Sequence, residues 1–163
     1  MTDGSPEILV LGLGNLLLSD DGVGLRLLEA VRYESSDVDF VDGGTQGLLL
    51  LGHLANRRAA IVLDAVALGA PPGSIHVLQG ESLAACRGDT GHGANALGLL
   101  AAARLLGELP PSVTILGIEP ASIATGIGLS PAVEAALPEA VSCARAMLAL
   151  ALQEFPHVPG GPR

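Results

Sequence analysis

The sequence predicts an α/β fold, a three-layer α/β/α sandwich built on a mostly parallel sheet. Two observations carry that expectation. Short apolar runs alternate along the chain with stretches of helical periodicity, the pattern of strand–helix–strand units. The first such unit, ILVLGLGNLLLSDDGVGLRLLEAV from Ile8 to Val31, joins a buried strand to an amphipathic helix through a glycine-rich loop. At 163 residues the chain is expected to form one domain over 1–163, with an ordered core from about 7 to 154 and a flexible tail over 156–163.

Each element has its own signal. Ile8 to Leu11 reads as a buried strand, and from Gly22 the residues Val23, Leu27, Leu28 and Val31 share one helical face. Val38 to Asp42 reads as a second strand, closed by Gly43 and Gly44. Gln46 to Leu54 reads as a short helix whose C-terminal dipole Arg57 and Arg58 favour. Ala60 to Val66 is a third, fully apolar strand apart from Asp64, and Pro71-Pro72-Gly73 turns the chain into a fourth from Ser74 to Leu78. That connection is too short for a parallel crossover, so the fourth strand is expected to run antiparallel. A loop from Gln79 to Gly93 is followed by a helix from about Ala94 to Leu106, apolar nearly all round and so either buried or a contact surface. Val113 to Gly117 is the fifth strand. Ser130-Pro131 has helix-start chemistry, and Pro138 is expected to restart a longer final helix to about Glu154, since proline suits a first turn but not an interior.

Composition narrows the function. Hydrophobic residues make up 49% of the chain but aromatics only 2%, so the core must be built from Leu, Val, Ile and Ala. A net charge of −9 with no basic stripe argues against a nucleic-acid or anionic-membrane partner and favours a basic or metal-bearing one. Met1 to Pro6 lacks the regions of a signal peptide, and Arg104 and Arg145 interrupt the longest apolar runs, so a cytoplasmic protein without membrane insertion is expected. Cys86 and Cys143 have no zinc-site spacing and read as free thiols.

The first loop admits two readings. Gly12-x-Gly14 after a strand, with Asp42 ending the next, suggests a dinucleotide fingerprint. Against it, Leu17 stands where a third glycine would allow close helix–sheet contact, and Asp20 and Asp21 put negative charge where a pyrophosphate would sit. The alternative is that the acids themselves are the functional groups.

GLGNLLLSDDGVGLRLLEAV resembles the opening of the hydrogenase maturation endopeptidases, which trim the C-terminal extension from the large-subunit precursor of nickel–iron hydrogenases. Further motifs match that family in order: VDGGTQG at 41–47, VLDAV at 62–66, the His92 loop, GIEP at 117–120 and then GIGLSPAVEAALP. The resemblance spans roughly residues 8 to 150 and implies a five-stranded sheet of order 2-1-3-5-4 with strand 4 reversed. It also implies a transiently engaged monomer, a nickel-loaded precursor as partner, and metal-contacting roles for the residues matching Asp21, Asp64 and His92.

The placement of these residues is compatible with that set, which the resemblance selects. Asp21 opens the first helix, Asp64 ends an apolar strand, and His92 sits in a glycine-rich loop before a helix, so all three reach the rim where α/β sheets bind ligands. Two carboxylates and one imidazole make a three-ligand set suited to nickel, zinc or another divalent ion. Each also has an ordinary structural reading. Asp21 could serve the helix dipole with Asp20 as N-cap, Asp64 could hold amides of the proline-rich turn, and His92 could be a surface residue. Asn15 is expected to order its own loop, while Asp42 to Thr45 and Glu119-Pro120 are expected as turns near the cleft. His53, His76 and His157 match no ligand position.

Two chemistries follow: a metal-activated water, or Asp21 or Asp64 as general base with the metal serving only docking. No G-x-S-x-G or HExxH motif offers another nucleophile or metal centre. The rival functions are a nickel-binding chaperone without peptidase activity and a Rossmann-like nucleotide-binding module. Specificity is expected to reside in variable loops, notably 79–91.

Overall fold

The structure, a computed structural model, describes residues 6–85 and 95–156. Five strands form one sheet of order β2-β1-β3-β5-β4: β1 Ile8–Leu13, β2 Val38–Gly44, β3 Ala59–Ala65, β4 Ile75–Gln79 and β5 Ser112–Ile118. Four run parallel, and β4 pairs antiparallel with β5, as its short connection requires. Around it lie α1 Val23–Val31, the single turn α2 Leu51–Leu54, α3 Gly80–Ala85, α4 Ala96–Leu105 and α5 Pro131–Glu154.

The two-residue period of β1 divides the core. Ile8 and Val10 face one side, where α1 and α5 pack through Leu27, Leu28, Ala140, Ala144 and Leu148. Leu9, Leu11 and Leu13 face the other, against Leu50, Leu54, Leu99, Leu100 and Ala103. Leu, Val, Ile and Ala make up both halves, as the near absence of aromatics demands.

The close helix–sheet contact that Leu17 does not provide is supplied elsewhere. Gly24, inside α1, lets the helix lie directly on the strand ends: a Cβ there would fall 2.2 Å from the Leu13 carbonyl oxygen and 2.3 Å from that of Leu63. The close approach therefore comes from a glycine within the helix.

Three further expectations are corrected. Residues 47–54 form a 3-10 turn, Gly47–Leu50, running into α2 rather than one α-helix. Arg57 does cap that unit, its Nε donating to the His53 carbonyl at 2.9 Å, and its guanidinium also binds Asp39 at 2.6 Å and the Pro6 carbonyl. The stretch after β4 opens with α3, a helix none of whose residues is buried; it has no apolar stripe by which periodicity could reveal it.

Pro138 does not restart the last helix. It lies inside one continuous helix of 24 residues, capped by the Ser130 hydroxyl accepting from the Val133 amide at 3.4 Å. Pro138 is exposed, so the Glu134 carbonyl that it leaves without a helical donor faces water. Meanwhile Val133, Ala140, Ala144 and Leu148 form one buried stripe across it, and that packing outweighs the local defect.

Of the terminal tail, the structure describes Pro156, exposed just past α5; residues 157–163, with His157, lie outside the described residues, as does Cys86. Cys143 is a free thiol.

Candidate functional site

The carboxyl ends of the parallel strands bring Asp21 and Asp64 into one cleft. Asp64 sits near the end of β3, in register with Gly117 of β5. Its side chain is 4% exposed. Oδ1 accepts the Ala65 amide at 2.8 Å, and Oδ2 accepts the Ala96 amide at 3.0 Å, where α4 begins. Burial pushes this carboxyl up to about 7; the neighbouring charge of Asp21 pushes the same way, and the two amides oppose it. Its bonding is thus local to β3 and α4. The proline-rich turn is held by another acid, described below.

Asp21 lies in a 3-10 turn, Ser19–Gly22, that leads into α1. Burial raises its pKa as well, opposed by the Asn15 amide, which donates to Oδ2 at 2.9 Å. The loop that makes this contact depends on Gly14, at φ +133°: a Cβ there would lie 1.9 Å from the Asp21 carbonyl oxygen. Asn15 orders the same loop by accepting the Leu17 amide on Oδ1 at 2.9 Å, as its residue type suggests.

Asp20 is not an N-cap. It is fully buried, with its carboxylate turned away from α1 toward the loop between β5 and α5. Oδ1 accepts the Ser130 amide at 2.6 Å, and Oδ2 accepts those of Ala121 at 2.8 Å and Ser122 at 3.2 Å. Burial alone would raise its pKa, but these bonds together hold it below the ordinary value. A short parallel bridge between Leu18 and Gly126 continues the seam, and Ser19, at φ +53°, gives its hydroxyl to the Ala124 carbonyl at 2.8 Å. Asp20 therefore fastens the two loops that form one wall of the cleft.

Glu119 does the same on the other side. This buried carboxylate accepts the amides of Leu68 and Gly69 at 2.9 and 3.0 Å and meets His76 Nε2 at 2.8 Å. Burial raises its pKa, but the Leu68 amide, His76 and the Gly69 amide outweigh that and lower it overall. His76 is a structural residue of this clamp. Neither fastening role is legible in sequence, because the partners of each acid lie roughly 50 or 100 residues away.

The cleft between these walls has a volume of about 350 Å³ and is lined by Asp21, Asp64, Asn95, Pro120, Ile123 and the segment after β3. A second lobe of about 230 Å³ shares both acids, Asn95 and Ile123 and extends to Gly44 and Thr45. Asp42, by contrast, is exposed on the edge strand β2. Asn95 caps α4 by accepting the Gly98 amide on Oδ1 at 2.8 Å. Its amide nitrogen is thereby left as a donor for a bound carbonyl.

Among the described residues no group of three His, Cys, Asp or Glu is arranged to hold a metal ion. The third predicted ligand, His92, lies outside the described residues. The paired carboxylates are themselves suited to a divalent cation: two oxygen donors, one buried, with the charge of Asp21 raising the cost of charge on Asp64.

A family model described as hydrogenase maturation protease matches residues 25–146. The chain is 40% identical over 141 residues to the hydrogenase 2 maturation protease of Escherichia coli (strain K12), covering 83% of this chain and 86% of that protein. Among solved structures it resembles the hydrogenase maturating endopeptidase HybD from E. coli with a TM-score of 0.78 and 38% identity, over 88% of this chain and 93% of that one. It also resembles the NiFe hydrogenase maturation protease HybD from Thermococcus kodakarensis, with a TM-score of 0.70 and 26% identity over 86% and 97% of the two chains.

Proposed function

This chain belongs to the hydrogenase maturation protease family, and on that premise we propose that it is the endopeptidase that removes the C-terminal extension of a nickel-loaded nickel–iron hydrogenase large-subunit precursor. The observation that carries the site assignment is the pairing of Asp21 and Asp64 in one cleft at the carboxyl edge of the sheet. Nickel enters this reading as part of the substrate. Asp21, Asp64 and His92 complete its surroundings when the precursor docks, and zinc or another divalent ion can take its place in the isolated protein.

Two routes to hydrolysis use these residues. Asp21 and Asp64, with His92, would hold a divalent cation, which would supply Lewis-acid chemistry for the scissile carbonyl and an attacking water. Alternatively Asp64, with its pKa pushed up to about 7, is matched to taking a proton from the attacking water near neutral pH, as in an aspartyl-type peptidase. On either route the side-chain NH2 of Asn95, which lines the cleft, would donate to a substrate carbonyl.

The same reading takes the protein as cytoplasmic, monomeric outside its precursor complex and not inserted in a membrane. α5 is long and apolar enough to cross a bilayer, yet it carries Glu134, Glu139, Arg145 and Glu154 and packs a stripe of side chains onto the sheet.

The test is cleavage of a nickel-loaded large-subunit precursor by wild type, Asp64→Ala and His92→Ala. Loss of the C-terminal peptide with wild type alone is the expected result. A wild type that binds the precursor tightly but leaves it whole would instead identify a maturation chaperone.

A further inference from the structure

Twelve large apolar side chains are markedly exposed among the described residues, and seven of them crowd one end of the molecule. Leu16 and Leu17 follow β1, Leu48 and Leu49 follow β2, Leu68 follows β3, and Ile123 and Ile127 follow β5. Every parallel strand thus ends in a loop that presents an apolar residue to solvent, around the cleft that holds Asp21 and Asp64. Ile123 lines both lobes of that cleft, and the Leu17 carbonyl accepts the Gly126 amide at 2.9 Å, joining the first and last of these loops.

Among the described residues of these loops, basic side chains are absent. Residues 14–22, 44–51, 65–70 and 119–131 contain no Lys or Arg. Their acids are Asp20 and Glu119, both buried on backbone amides, and Asp21 in the cleft. Exposed apolar residues concentrated at one end of the fold in this way mark a protein-binding face. A second copy seated there would cover the cleft that must admit a polypeptide.

Building on the peptidase reading, we propose that this rim seats an uncharged, apolar segment of the precursor beside its scissile bond, so that recognition rests on hydrophobic contact rather than on the chain's net negative charge.

The test compares wild type with Leu49→Glu/Ile127→Glu, and with Leu105→Glu as control. Leu49 and Ile127 are 82% and 89% exposed, so the double variant should fold; Leu105, 88% exposed, lies at the far end of α4, about 15 Å of helix away from the cleft. Precursor binding and cleavage kinetics are both read, with thermal melting as a check on folding. We expect the rim variant to bind the precursor at least about tenfold more weakly and to raise KM by a similar factor with kcat retained. Leu105→Glu should match wild type. Raising salt from about 0.05 to about 0.5 M should leave wild-type binding unchanged or tighter.

Unchanged binding by the rim variant, or wild-type binding that collapses in salt, overturns the proposal. So does a wild type that sediments as a dimer while the rim variant is monomeric. A wild type that binds but never cuts defeats the peptidase reading alone, since the binding comparison still decides whether the rim is the docking face.

Discussion

Asp20 and Asp21 stand side by side in the chain and do opposite work. Asp21 turns into the cleft, where burial raises its pKa, while Asp20 turns away and gathers three backbone amides from the loop between β5 and α5. An asparagine at position 20 could accept on one atom only and would set an NH2 group against a buried amide. Asp20→Asn should therefore cost about 2–3 kcal/mol and speed hydrogen exchange at Ala121, Ser122 and Ser130. Unaltered melting and exchange would show that the loop does not depend on this carboxylate. Topology placed Asp21 and Asp64 on the ligand-binding rim, and the ordered family motifs were what raised them above their ordinary structural readings. The sequence could not separate Asp20 from an N-cap, since the groups that define its role are about 100 residues distant. Glu119 escaped for the same reason: a strand-end turn was legible, a clamp on Leu68, Gly69 and His76 was not.

Strands and the first helix were readable because their signals are local and periodic. Ile8 to Leu13 alternates between two buried faces, and Val23, Leu27, Leu28 and Val31 are all buried, as their spacing requires. The antiparallel β4 followed from loop length alone. What failed were elements whose form depends on context. α3 fully buries no residue and sets only Leu83 against the core, and α5 ignores its proline because tertiary packing holds both halves of the helix to one surface. α4 meets both of its expected alternatives: Leu99, Leu100 and Ala103 are buried, while Leu105 and Leu106 project into solvent. The account of α5 makes a direct prediction. Pro138 contributes no buried contact and costs a helical hydrogen bond, so Pro138→Ala should stabilise the protein by about 1–2 kcal/mol, seen as a rise of a few degrees in melting temperature. Precursor cleavage should be unchanged, because α5 lies on the face of the sheet served by α1 and the cleft opens at the strand ends. A lower melting temperature would mean that the proline is part of the native packing.

At the scale of the whole molecule, the buried acids pull stability in opposite directions with pH. Asp20 and Glu119 have folded pKa values below their unfolded ones, so their contribution is complete above the ordinary carboxylate range and is lost as pH falls through it. Asp64 has the reverse sign. Its folded pKa is about 7 against a usual 3.8, so the folded state holds its proton more tightly and stability declines as pH climbs between those values. Together they put the stability maximum between about pH 4 and pH 5, with the penalty from Asp64 complete a little above neutrality, where it amounts to a few kcal/mol. Denaturant titrations from about pH 3 to about pH 8 should trace that dome. Asp64→Asn removes the titrating group and should flatten the limb above pH 5, whatever constant offset follows from exchanging a carboxylate for an amide that can satisfy only one of the Ala65 and Ala96 amides. An alkaline limb that persists in the variant would assign the decline to another group and would deny that the cleft is built at the expense of the fold. If the limb flattens, the site holds an acid that the native structure would rather keep neutral, and a cation brought by the substrate is what would relieve it.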